Sequence, residues 1–137
     1  MREIKFRVWD SIIGEMANTL HIKVNPITFQ LECPAYDIDG SLVKIELMQY
    51  TGLKDKNGVE IYEGDIIGSH HFKDAAGRDH ILKHQVVWSK KFHGWFLLNC
   101  TSQDENDGSI QLFVSRYGEI EVIGNIHENP ELLEVKQ

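Results

Sequence analysis

Ile61-Tyr62-Glu63-Gly64-Asp65-Ile66-Ile67 is the stretch on which the fold class turns. A Gly-Asp pair followed by two β-branched residues opens a strand of a small barrel, the glycine allowing a sharp entry. Downstream, apolar residues recur on even positions: Leu82, Val86 and Trp88, then Ile110, Leu112 and Val114, then Ile120, Val122 and Ile126. A period of two marks a half-buried strand. These runs predict strands near 80–88, 95–99, 110–115 and 119–126. That number suffices to close an SH3-like barrel, and closure removes the exposed edges an all-β chain must manage.

Upstream lies a polar, turn-rich stretch, Thr51 to Gly58, and a boundary is predicted near Tyr50. Before it the same alternation appears in Ile4, Phe6 and Val8 against Lys5 and Arg7. It returns in Ile27, Phe29 and Leu31, and in Val43, Ile45 and Leu47 against Lys44 and Glu46. Turn signals separate the runs: Asp39-Gly40, Asn57-Gly58, Ala76-Gly77, Gln103 to Gly108 and Tyr117-Gly118. Asn-Gly and Asp-Gly supply the positive φ that tight hairpins need. Helix signals are confined to the end, where Asn129 caps, Pro130 takes the first helical position and Glu131 suits the first turn, to about Glu134. The expectation is a mainly β chain with little helix: an N-terminal β-hairpin region over 1–50 and an SH3-like barrel over 51–137.

The 137 residues, 42% hydrophobic and 26% charged, describe an ordinary globular protein able to bury a core. No apolar run approaches the roughly 20 residues a membrane helix requires. Met1 to Asp10 alternates charged with apolar residues and has no signal-peptide core, so a cytoplasmic chain without membrane contact is expected. Cys33 and Cys100 are read as two thiols packed as small hydrophobes. The formal net charge is −7, which repels polyphosphate as a whole. The charge is uneven. From His70 to His93, five Lys/Arg stand against Asp74 and Asp79, a local +3, so the remainder carries −10 (−7 minus 3).

Three blocks resemble one family. They are Arg2-Glu3-Ile4-Lys5-Phe6-Arg7-Val8-Trp9-Asp10, Met48 to Gly58 running into Ile61-Tyr62-Glu63-Gly64-Asp65-Ile66, and Val122-Ile123-Gly124-Asn125-Ile126-His127-Glu128-Asn129-Pro130-Glu131-Leu132-Leu133. Together they look like the YopX family of phage and prophage proteins, from end to end of the chain. The resemblance implies a domain of unknown function, with an SH3-type barrel in the C-terminal part and a bacterial host cell as setting. It supplies no catalytic or ligand residue. Ser69 to His84 lies outside the matched blocks.

Candidate chemistry concentrates in that basic segment. His70, His71, His80 and His84 flank a turn at Asp74 to Asp79. A hairpin register pairing residues that sum to 154 sets His70 opposite His84, and two imidazoles with a carboxylate such as Asp79 form a candidate metal site. A one-residue slip separates them, and His84 shares its face with Leu82, Val86 and Trp88, where a hydrogen-bonded core histidine is the commoner occupant. Trp88, Lys90, Lys91, Phe92, His93, Trp95 and Phe96 interleave cations with rings, a pattern that binds nucleic acid through Lys90 and Lys91. The competing reading makes Trp88, Trp95 and Phe96 core residues around a turn at His93-Gly94, and the net charge favours it. Gly64-Asp65 and Asn57-Gly58 read as turn residues, and Asp104 to Gly108 as a solvated hairpin tip without calcium-loop spacing.

There is no phosphate-binding loop, G-x-S-x-G elbow or H-E-x-x-H motif. No cofactor and no enzymatic activity are expected. The reading is a protein-interaction module contacting a phage or host protein, with self-association as a further expectation. The rivals are a nucleic-acid-binding barrel using residues 70–93 and an acidic decoy of a host DNA-binding protein.

Overall fold

The computed structural model describes residues 3–10, 14–17, 23–24, 27, 31–32, 35–36, 42–43, 45–100, 110 and 119–133. The described residues are mainly β, and the chain divides into two units, Met1–Tyr50 and Thr51–Gln137.

In the first unit the alternation at Phe6 and Val8 becomes β1 (Phe6–Asp10), with Val8 buried at 5% exposure. Ile4 precedes the strand and is exposed. β1 pairs antiparallel with β2 (Glu15–Ala17), Trp9 opposite Met16. Two short antiparallel ladders follow, β3 (Lys23–Val24) with β4 (Leu31–Glu32) and β5 (Ala35–Tyr36) with β6 (Leu42–Val43). β7 (Ile45–Lys54) then returns along β1, with Phe6 opposite Gln49 and Asp10 opposite Ile45. Met48 and Tyr50 are buried on one face of β7, the face on which Met48 stands opposite Arg7, whereas the buried Val8 stands opposite Leu47 on the other face. The strand expected from Ile27 is corrected at its start, where Ile27 sits exposed in a turn; Leu31–Glu32 is extended, and Phe29 lies outside the described residues.

The second unit starts with the last residues of β7, to which β8 (Glu60–Tyr62) is added. The Thr51 hydroxyl donates to the Ile61 carbonyl at 2.8 Å. β9 (Asp65–Lys73), β10 (Asp79–Ser89), β11 (Gly94–Asn99) and β12 (Ile120–Asn125) form one antiparallel sheet in the order β11-β10-β9-β12, curled as a half-barrel. Its ladders slip between Ile81 and Leu82 and between Val122 and Gly124. Such bulges bend and twist a strand, which supplies the curl.

Ile61, Ile67, Val86, Leu97 and Ile110 are fully buried and form the core with Ile120, while Leu53, Trp95 and Val122 pack against it. Ile110 is helical, so the strand expected to begin there does not. Its continuation over 111–115 lies outside the described residues, as do the turns expected at 39–40, 103–108 and 117–118, and Cys33. Cys100 is a buried thiol, pushed above its ordinary pKa by burial, against a lowering by Lys83. The helix expected after Asn129 is a single 3-10 turn, Pro130–Leu133, entered through the Asn129 amide donating to the Asn125 carbonyl at 2.9 Å.

Candidate protein-interaction surface

Asp55, Asp65, Asn125 and Asn129, in the central and final blocks, accept backbone amides. Asp55 is 8% exposed. Its Oδ1 accepts the amides of Asn57 (2.8 Å) and Val59 (2.9 Å), and its Oδ2 accepts that of Val122 at 3.0 Å, sixty-seven residues away. Burial alone raises this carboxyl, but the amides of Val122, Val59 and Asn57 and the charge of Lys56 hold it below its ordinary value. Asp65, 1% exposed, accepts the Tyr62 amide at 2.8 Å and squares the corner after Gly64. Gly64 donates to the Val86 carbonyl and accepts from the Ile126 amide. Asn125 Oδ1 accepts the amides of His127 and Glu128, and Asn129 Oδ1 accepts that of Asn125.

The turn between β9 and β10 is tied the same way. Asp74 accepts the amides of Ala76 and Arg78, the Arg78 guanidinium at 2.8 Å and His80 Nε2 at 2.9 Å. The His80 hydrogen bond first, then the Arg78 amide against a small opposing burial effect, brings Asp74 down to about 2. A carboxyl lowered in the fold adds stability above its unfolded pKa of 3.8, and that stability is lost as pH falls through about 2. Carboxyl NMR titration of Asp74 is therefore expected to show a midpoint near 2. A midpoint near 3.8 would mean the turn is open in solution.

This turn fixes the histidine register. It sets Lys73 opposite Asp79 and Phe72 opposite His80, and the slip at Ile81/Leu82 then leaves His70 as the extra residue of the bulge. His84 accordingly stands opposite Ile67 and Asn99, and the expected pairing with His70 is not formed. His84 is 2% exposed on the inward face with Val86, whereas the side chains of His70 and His71 lie outside the described residues. Among the described residues, no three His, Cys, Asp or Glu side chains gather as a metal site.

The remaining candidate is the tip of the β10–β11 hairpin. Trp88 lies opposite Trp95, and their rings meet edge to face at 5.0 Å and 77°. Both continue the core face of Val86 and Leu97, but only Trp95 packs on the core. Trp88 is 44% exposed, which corrects its expected place in the core: the strand runs on past the point where the core ends. Beyond it, Phe92 is 50% exposed, stacked on Phe96 at 4.9 Å and 16°, with the Lys91 ammonium 5.1 Å from its ring centre. Lys90, Lys91 and His93 are exposed, and His93 closes the turn with a φ of +51°. The Phe92 amide donates to the buried Ser89 hydroxyl at 3.3 Å, fixing the loop. Two large rings, half in water beside two cations, give this tip an amphipathic surface. Trp88→Ala removes only an edge contact and a half-exposed ring, so thermal denaturation is expected to show a loss of about 1 kcal/mol or less. A loss of about 3 kcal/mol would place Trp88 in the core after all.

A family profile described as YopX protein matches residues 5–134. Among solved structures, protein EF1440 from Enterococcus faecalis is 33% identical, with 98% of this chain and 100% of that one covered, at a TM-score of 0.62. No curated protein matches the chain.

Proposed function

The chain belongs to the YopX family, and we propose that it is a non-enzymatic interaction module that docks a phage or host protein in the cytoplasm of a bacterial host. The tip of the β10–β11 hairpin carries this reading: Trp88 and Phe92 expose aromatic surface on a loop whose shape is already set. We take the second unit as an SH3-like small barrel. The four-stranded antiparallel sheet and its two bulges support this placement. The absence of an enzymatic role is part of the proposal, and the internal engagement of Asp55, Asp65 and Asp74 supports it.

A protein partner suits the tip better than nucleic acid. One face of the Phe92 ring is stacked on Phe96 and the Lys91 ammonium lies 5.1 Å from its centre, which leaves less open ring face than a single-strand binder offers to its bases. Affinity capture from nuclease-treated host lysate tests this, comparing wild type with Trp88→Ala/Phe92→Ala. A discrete protein held by the wild type and lost from the variant is expected. Capture that the variant leaves intact, or that nuclease abolishes, would contradict the proposal. Oligonucleotide binding that Lys90→Ala/Lys91→Ala weakens, with a flatter salt dependence, would assign the tip to nucleic acid instead.

A further inference from the structure

The chain has 21 acidic residues among 137, yet none between His80 and Gln103. That span comprises nearly all of β10, the tip and β11. Lys83, Lys90 and Lys91 are its cations. Among the described residues, Lys90 and Lys91 form no ion pair, and the one contact of their ammonium groups is that of Lys91 with the Phe92 ring. The tip is thus a basic, aromatic point on an acidic protein, with its charges uncommitted.

Resting on the interaction-module reading, we infer that the tip recognises an acidic segment of a partner protein, one with apolar side chains among its carboxylates. Lys90 and Lys91 pair with the carboxylates, and the exposed parts of Trp88 and Phe92 cover the apolar groups. Lys91 can turn from the Phe92 ring to a carboxylate without breaking any salt bridge, and the stacked rings need no reordering. A second copy of this chain fits less well. Its acidic surface differs from the tip, so the contact would be heterologous and would propagate from copy to copy instead of closing on a two-fold axis.

Selection of displayed random dodecapeptides on the immobilised full chain at low salt tests the inference. Enriched peptides should combine Asp or Glu with Leu, Ile or Phe. Their binding should fall about tenfold or more in Lys90→Glu/Lys91→Glu and weaken as salt rises. Both lysines are exposed, so the variant keeps its fold, which circular dichroism verifies. Neutral or basic peptides, or acidic ones that bind the variant as tightly as the wild type, would overturn the inference. Neutral peptides released by Trp88→Ala would overturn the acidic class yet keep the tip as an interaction surface. Peptides indifferent to both variants would remove the tip from either reading. A dimer that peptide fails to dissociate and that the charge reversal disrupts would assign the tip to a second copy, against the inference.

Discussion

Asp55→Ala is expected to destabilise the protein by about 3 kcal/mol, lowering the melting temperature by about 10 °C. The carboxylate accepts three amides, those of Asn57, Val59 and Val122. The first two close the turn between β7 and β8, and the third ties that turn to β12. Removing it opens a local turn and a long-range connection together, and the Val122 amide, half-buried, loses its acceptor. Charge-assisted bonds of this kind are about twice as strong as neutral ones. Asp55→Asn keeps an acceptor oxygen but not two charged ones, so its loss should fall between wild type and alanine. Because the fold lowers this carboxyl, its contribution is present above the unfolded pKa of 3.8 and disappears as pH falls below it. The difference in stability between wild type and Asp55→Ala, measured by denaturant titration, should therefore shrink in acid. A difference independent of pH would mean that shape, not charge, is what the turn requires.

Gly124→Ala is expected to cost about 2–3 kcal/mol, a large effect for one methyl group. A Cβ there would lie 2.5 Å from Asn129 Oδ1 and 2.9 Å from Leu132 Cδ1. Neither neighbour yields freely. Asn129 Oδ1 accepts the Asn125 amide, and Leu132 belongs to the 3-10 turn whose amide donates to the Asn129 carbonyl. Moving them breaks the bond that joins β12 to the turn after it. The ladder with β9 slips between Val122 and Gly124, next to this close approach. Thermal melting of Gly124→Ala checks the prediction, and a variant as stable as wild type would show that the 3-10 turn moves aside without cost.

What could be read from the sequence followed the reach of each signal. Alternation at Leu82, His84 and Val86 is a local property, and it marked β10 and its inward face correctly. It also put Trp88 on that face, rightly, but a period says nothing of where the core stops, and Trp88 lies beyond it. The histidine register escaped for a different reason. Pairing depends on the whole turn from Asp74 to Arg78 and on a bulge at His70, and a single inserted residue reassigns every partner beyond it. Asp55 was legible as part of a turn, whereas its partner Val122 is too distant in sequence for any local pattern to suggest. Ile110 shows the limit of periodicity most plainly: an even-numbered apolar run predicted a strand, and the residue is buried in a helical conformation. Of the candidate site, the interleaving of Lys90, Lys91, Phe92 and Trp95 was visible, but the division between buried and exposed rings is set by three-dimensional packing.

Amide hydrogen exchange on the full chain, alone and with a bound peptide from the display selection, tests most directly that the hairpin tip is the working surface. Protection gained over Ser89–Phe96, with the amides of 51–61 unchanged, is the expected result. Protection gained over 51–61 instead, with 89–96 exchanging as in the free chain, would contradict it and move function from the tip to the turn that Asp55 holds.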